Sequence, residues 1–160
     1  MIGIMSDSHD NLDAVKEAVR LFKRLDCQLV IHAGDFVAPF AALELGRLPC
    51  RIKAVFGNCD GEKKGLASAV KPFGEIEESP YPFEWTDFQF LLMHVDYDVD
   101  AHVSRYKPDF LVLGHTHKPE VKTKGKTLLI NPGETGGWVS GRKTVALLDP
   151  ERRKVEILPL

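Results

Sequence analysis

The first 56 residues alternate between apolar runs and segments with helical spacing, and this alternation limits the possible folds most. Apolar runs at 2–5, 27–32 and 52–56 are each suited to one buried strand. Asn11 can cap a helix between the first two runs, and a shorter helix is predicted over 39–45. An order of strand, helix, strand, helix and strand predicts a parallel sheet with right-handed crossovers.

The pattern changes near residue 74, where short strands with short connections follow one another. A helix is predicted only over 99–106. Hairpins are predicted about Gly125 and about Pro150 and Glu151. The second half is therefore expected to be mostly antiparallel. Because no repeat or linker interrupts the chain, residues 1–160 are expected to form one α/β domain with two packed sheets.

Composition excludes several classes of protein. A net charge of −2 gives no reason to expect a strong nucleic-acid-binding surface. No apolar stretch approaches the roughly 18 residues of a membrane span, and the first residues lack the basic region of a signal peptide. We therefore expect a cytoplasmic protein with no membrane partner. Three cysteines without a C-x-x-C pair imply neither a disulfide framework nor a zinc ribbon.

Polar side chains follow five of the predicted strands, at the point where each strand ends. These residues are Asp7, His9, Asp35, Asn58, His94, His115 and His117. In open α/β sheets, ligands bind outside the carboxyl ends of the strands. Any one of these residues alone would be interpreted as ordinary turn chemistry. Their joint occurrence in five segments instead predicts a shared site.

The residue types favour a pair of metal ions. Seven candidate ligands are too many for one tetrahedral ion, whereas a central carboxylate such as Asp35 could bridge two ions roughly 3.5–4 Å apart. Oxygen and imidazole ligands without thiolate suit Mn, Fe, Co, Ni or Zn. Two divalent ions, two carboxylates and a bridging hydroxide leave a net charge of about +1, which a phosphodiester would neutralise.

The same residues carry a family resemblance through their order. D-x-H at Asp7, G-D at Asp35, G-N at Asn58, a lone strand-end His94 and G-H-x-H at His115 follow one another. This set resembles the calcineurin-like metallophosphoesterases, most of all the small YfcE-type phosphodiesterases, which include an archaeal group. The resemblance implies a four-layer α-β-β-α sandwich and a dinuclear metal centre. It covers nearly the whole chain.

The resemblance also implies a role for each residue. One metal would be held by Asp7, His9, Asp35 and His117, and the other by Asp35, Asn58, His94 and His115. Two divalent ions per chain are expected, with Mn²⁺ first and Ni²⁺, Co²⁺, Fe²⁺ or Zn²⁺ as alternatives. A hydroxide that bridges the metals would attack a small phosphodiester. Asp35, Asn58 and His94 are the predicted catalytic residues, and Asn58 and Cys59 are predicted to contact substrate. A homodimer is plausible for this branch.

Two departures from the family pattern bear on activity. Many members have histidine at the position of Cys59, where it contacts phosphate and assists the leaving group. Many also follow the strand-end histidine with glycine and histidine, whereas Val95 and Asp96 follow His94 here. Cys59 is first interpreted as an inert small residue, with a reactive thiol and a weak phosphate contact as the alternatives.

Two alternative functions stay open at this point, and two neighbouring residues have expected roles. A phosphomonoesterase or nucleotidase of the same superfamily is one alternative function, and a non-catalytic Vps29-like protein-interaction scaffold is another. His32 precedes Gly34 and Asp35 on a strand, and we expect it to be a buried, hydrogen-bonded neighbour of the site. Asp60 is expected to orient a neighbouring group.

Overall fold

The computed structural model describes residues 1–95 and 97–160, so Asp96 lies outside the described residues. Its strands are β1 (Ile2–Met5), β2 (Leu29–His32), β3 (Arg51–Val55), β4 (Gly74–Glu77), β5 (Tyr81–Trp85), β6 (Phe88–Leu92), β7 (Phe110–Val112), β8 (Pro119–Lys124), β9 (Thr127–Pro132), β10 (Thr144–Asp149) and β11 (Lys154–Pro159). Its helices are α1 (Leu12–Arg24), α2 (Pro39–Leu43), α3 (Lys63–Val70) and α4 (Val99–Tyr106).

The first sheet has the strand order β11-β10-β1-β2-β3-β4. Strands β1, β2 and β3 are parallel to one another, which confirms the fold predicted for the first 56 residues. Strand β4 is also parallel to β3, whereas the sequence assigned it to a mostly antiparallel second half. The predicted terminal hairpin is also present, as β10 and β11, and it adds to the side of β1 in antiparallel orientation. Helix α3, which lies between β3 and β4, was not predicted from the sequence.

The second sheet has the order β5-β6-β7-β9-β8. Its outer pairs, β5 with β6 and β8 with β9, are antiparallel hairpins. Its central strands β6, β7 and β9 are parallel, so the expectation of a mostly antiparallel second half is wrong at the centre of this sheet. Because α4 carries the chain back between β6 and β7, the carboxyl ends of these two strands lie at one edge.

Three apolar clusters separate four layers. One cluster joins α1, α2 and α3 to the outer face of the first sheet, and a second lies between the two sheets. A third packs α4 on the outer face of the second sheet. The α-β-β-α sandwich that the family resemblance implied is therefore confirmed.

Strand β1 shows how the sequence directs these layers. Ile2 and Ile4 face the second sheet, and Met5 faces the helices, as the alternation of a strand requires. At Gly3 a Cβ atom would lie 2.7 Å from the Phe22 ring, so glycine lets α1 approach the strand closely. This contact packs the last turn of α1 against β1, the strand whose C-terminal end leads to the first candidate ligands.

Helix α1 begins as the sequence predicts. The Asn11 side chain accepts a hydrogen bond from the amide of Ala14 at 3.2 Å, which satisfies one free N–H of the first turn. Helix α2 ends at Leu43 and continues as a 3₁₀ turn over Glu44–Arg47. Within the part of the chain that the structure describes, no helix is long and apolar enough to span a membrane.

Candidate metal centre

The loop after β1 and the loop after β7 form the first of two ligand clusters. The Nε2 atom of His117 lies 3.5 Å from Oδ1 of Asp7. The Nε2 atom of His9 lies 3.9 Å from the same oxygen and 3.6 Å from Oδ2 of Asp35. The two imidazole rings stack with centroids 5.2 Å apart. We call Asp7, His9, His117 and the shared Asp35 the first cluster.

The second cluster brings together the loops after β3, β6 and β7. Oδ1 of Asn58 lies 2.9 Å from Nε2 of His94 and 2.9 Å from Nδ1 of His115. Nε2 of His94 is also 3.4 Å from Oδ2 of Asp35. The second cluster therefore contains Asn58, His94, His115 and again Asp35. The structure brings all seven predicted ligand residues together and places Asp35 between the two groups.

The ligand atoms lie 2.9–3.9 Å apart, close to the spacing of atoms around one cation. Two ligand atoms about 2.1 Å from one ion, at a tetrahedral or octahedral angle, are about 3.0–3.4 Å apart. Nε2 of His9 is buried and has no hydrogen-bond partner among the described residues, although it faces two carboxylates. A buried nitrogen without a partner calls for an explanation. A cation between His9, Asp7 and Asp35 would supply one.

The two carboxylates differ in their electrostatic environments. Burial raises the pKa of Asp7. Burial also disfavours the charged form of Asp35, but hydrogen bonds from His94 and from the Cys59 amide hold its pKa below its usual range. Asp35 is therefore a carboxylate at neutral pH, as a residue shared by two cations requires.

His94 is oriented by a main-chain group behind it. Its Nδ1 donates to the carbonyl oxygen of Ala33 at 2.7 Å, and its side chain is almost fully buried. Nε2 of His94 is thereby directed at the side-chain oxygens of Asp35 and Asn58. Nε2 carries a proton where it faces these oxygens, and displacement of that proton by a cation would leave the lone pair that a metal-binding histidine presents.

Glu134 is a component of the site that the sequence analysis missed. Its buried carboxylate accepts hydrogen bonds from the amides of Val139 at 2.8 Å and Ser140 at 2.7 Å. Oε1 also lies 3.3 Å from Nδ1 of His117. The geometry of this contact is not that of a hydrogen bond, but the carboxylate faces the ring nitrogen opposite Nε2, the position from which such a group orients a metal-binding histidine. Glu134 follows β9, which ends at Pro132, and no local sequence signal marks it as part of the site.

We expect Glu134→Gln to weaken the first cluster. The amide would no longer fix which nitrogen of His117 carries the proton, and such partners change metal affinity by about 10–100-fold. Calorimetric titration of the metal-free protein with Mn²⁺ measures this loss. Glu17→Gln, which removes only a surface pair with Lys143, is the matched control. Equal affinities for Glu134→Gln and the wild type would contradict the role assigned to Glu134.

Two buried neighbours hold the loops without joining the clusters. His32 accepts from the Gly34 amide at 3.2 Å and lies 3.1 Å from the Ser8 hydroxyl, and burial lowers its pKa to about 3. Asp60 accepts from the amides of Asp35, Val37 and Gly57. It therefore ties the loop after β2 to the loop after β3.

Five of the seven ligand residues share an uncommon backbone conformation. The φ angles of Asp7, His9, Asp35, His115 and His117 are 52°, 41°, 60°, 68° and 58°. This left-handed region is uncommon for residues other than glycine, although Asn, Asp and His are enriched in it. Val37 has a φ of 83°, which is a genuine outlier for a β-branched residue. Such strain is concentrated at functional sites.

Cys59 lies at the exposed rim of the site. Its amide donates to Oδ1 of Asp35 at 2.8 Å, and its sulfur lies 3.4 Å from Nδ2 of Asn58. Partial burial, followed by the negative charge of Asp35, raises the pKa of the thiol. A protonated thiol is a poor nucleophile, which favours the interpretation of Cys59 as inert over that of a reactive thiol.

Known proteins resemble this chain over nearly its whole length. Residues 1–153 match the family model of the calcineurin-like phosphoesterase superfamily domain. A phosphodiesterase of Methanocaldococcus jannaschii is 34% identical over 157 residues, which span 96% of this chain and 95% of that protein. A solved structure of an archaeal phosphodiesterase has a TM-score of 0.92 at 32% identity and covers 99% of both chains.

A more distant match shares the fold alone. Vps29 of Entamoeba histolytica has a TM-score of 0.69 at 18% identity, over 99% of this chain and 98% of that one.

Proposed function

The chain belongs to the calcineurin-like phosphoesterase superfamily and is a metal-dependent phosphoester hydrolase, and we propose that it cleaves small phosphodiesters at a dinuclear centre. The observation that carries this proposal is the position of Asp35. Its Oδ2 lies 3.6 Å from Nε2 of His9 in the first cluster and 3.4 Å from Nε2 of His94 in the second. One carboxylate thus reaches both groups, as a bridging ligand must.

The donor set supports the choice of metal. The seven residues offer oxygen and imidazole nitrogen, which suit Mn²⁺ and also Ni²⁺, Co²⁺, Fe²⁺ or Zn²⁺. When bound, two such ions would lower the pKa of a water that serves as nucleophile and would stabilise charge on the phosphoryl oxygens. The first cluster would hold one ion and the second cluster the other, with Asp35 common to both.

The protein's own groups would position the substrate. Asn58 accepts at Oδ1 within the second cluster, which leaves its Nδ2 directed toward Cys59 at the rim. There the amide can donate to a phosphoryl oxygen. Cys59 offers no imidazole to protonate a departing group. Esters with acidic leaving groups, which depart without a proton, should therefore react fastest.

Charge favours diesters over monoesters. Two divalent ions, the carboxylates of Asp7 and Asp35 and a bridging hydroxide would give a net charge of about +1, which one phosphodiester anion would neutralise. A monoester dianion would leave the site negative. The identity of 34% to a phosphodiesterase over nearly the full length of both chains supports the same choice.

We expect a diester preference in steady-state assays. Metal-stripped protein reconstituted in turn with Mn²⁺, Ni²⁺, Co²⁺ and Zn²⁺ should hydrolyse bis(p-nitrophenyl) phosphate with a kcat/KM about tenfold or more above that for p-nitrophenyl phosphate. The two substrates share a leaving group, so the difference in kcat/KM reflects the charge of the phosphate and the presence of the second ester group. A monoester preference with every metal would transfer the assignment to the nucleotidase alternative, and hydrolysis of neither substrate would favour a scaffold.

A further inference from the structure

Trp138 and Val139 are the most exposed large apolar side chains of the described residues, at 66% and 75% of their full exposure. They are consecutive, and they lie in the loop between β9 and β10 that contacts the first cluster. In folded proteins, a tryptophan side chain usually has most of its large apolar surface buried. An exposed indole beside a catalytic centre therefore points to a contact made with a ligand.

The indole is fixed by its single polar atom. Nε1–H of Trp138 donates to the main-chain oxygen of His9 at 3.0 Å. This bond satisfies the only polar group of the indole. The faces of the ring need no polar partner and are available for apolar contact. His9 belongs to the first cluster, with Nε2 3.6 Å from Asp35. The indole ring therefore contacts the main chain of a residue whose side chain belongs to the first cluster, where the phosphate would be held.

The loop that carries Trp138 is held on several sides. The Glu134 carboxylate accepts the amides of Val139 and Ser140. The amide of Gly136 donates to the main-chain oxygen of Asp7 at 3.0 Å, and Asn11 donates to the oxygen of Gly136 at 2.7 Å. An indole on a fixed loop loses little freedom when a ligand binds, which favours affinity.

We propose that Trp138 is a stacking platform for a planar aromatic group on the ester arm that the phosphate retains, either an aryl ring or a nucleoside base. The inference rests on the proposed diesterase function. The leaving group would depart beside Cys59, so the retained arm is free to extend from the first cluster toward the indole next to His9. Stacking of a base on an aromatic side chain changes affinity by about tenfold to hundredfold.

Three diesters with one leaving group test the platform. Bis(p-nitrophenyl) phosphate retains an aryl arm, thymidine 5′-(p-nitrophenyl phosphate) retains a nucleoside, and methyl p-nitrophenyl phosphate retains neither. Trp138→Ala should raise KM about tenfold for at least one aromatic arm and change it about twofold or less for the methyl diester. Trp138→Phe should keep most of the affinity, and Val139→Ala should match the wild type.

Each possible outcome of this comparison either supports or overturns the platform. A rise confined to the thymidine ester identifies a nucleoside as the retained group, and one confined to the bis-aryl ester identifies an aryl group; both support the platform. A similar change for all three diesters, or no change for any, overturns the proposal. So does sedimentation showing that Trp138→Ala splits a dimer while every KM stays at its wild-type value.

A binding measurement separates failure of the platform from failure of the proposed function. The chain has two tryptophans, so Trp85→Phe leaves Trp138 as the sole indole fluorophore. In the Zn²⁺-loaded variant, diphenyl phosphate should quench or shift the emission, and dimethyl phosphate at the same concentration should not. This response in a protein without diesterase activity would retain the platform and reject the diesterase. Equal responses to the two ligands would overturn the platform.

Discussion

Asp35→Ala should remove both metal ions together. Elemental analysis after reconstitution with Mn²⁺ should approach about two ions per chain for the wild type and fall toward none for the variant, because Asp35 is shared by both clusters. Diesterase kcat/KM should fall by about 10³-fold or more, since removal of even one electrostatic contact commonly causes a loss of about 10²–10³-fold.

Variants of ligands that belong to only one cluster test whether Asp35 is the residue shared by both ions. His117→Ala should lose chiefly the ion of the first cluster and His115→Ala that of the second, so each should retain about one ion per chain. Asp13→Ala, which changes an exposed aspartate on α1, should keep both. Since alanine is strained at the φ of 60° found at residue 35, Asp35→Asn provides a variant that tolerates this backbone. Full occupancy in Asp35→Ala would refute the bridging role.

Cys59→His should raise diesterase activity, with the largest gain for poor leaving groups. An imidazole at this rim position could protonate the departing alkoxide, a contribution of about 10²–10⁴-fold where geometry is right. Comparing kcat/KM across diesters of graded leaving-group acidity measures the effect. Nearby cations disfavour the protonated imidazole, so the gain should shrink as the pH rises. A uniform gain for all leaving groups would contradict proton donation.

The other substitutions at this position test the inert thiol. Cys59→Ser and Cys59→Ala should keep metal content and lower activity about tenfold at most, because the bond to Asp35 comes from the main-chain amide of residue 59. Inactivation by iodoacetamide that substrate prevents, or complete loss of turnover in Cys59→Ala, would instead make Cys59 a nucleophile.

The sequence carried enough information to assemble the site because its ligands follow buried strands. Asp7, Asp35 and Asn58 could be placed together, since parallel strands end at one edge. His94 and His115 reach the same edge because β6 and β7 are parallel at the centre of the second sheet. The sequence did not predict this, because the short strands of the second half have the spacing of hairpins. Strands β6 and β7 pair side by side although α4 separates them in the chain, and periodicity does not report such a non-local contact.

Glu134 shows a different limit of the sequence. Its neighbours in the sequence do not distinguish it from a surface glutamate. Its partners are His117, in the loop after β7, and the amides of Val139 and Ser140, farther along the loop between β9 and β10. Helix α3 was missed for a related reason: its short segment buries only Leu66 and Val70, which is too few positions to establish a helical period.

The left-handed ligand residues bear on how this fold could change in evolution. Glycine at positions such as 9, 115 and 117 would relax a backbone conformation that costs an ordinary residue about 1 kcal/mol or more. Selection for a durable fold and selection for hydrolysis therefore oppose each other at the same positions. A lineage released from catalysis would gain stability by losing its ligands, so an ancestor of this kind could readily give rise to purely structural descendants.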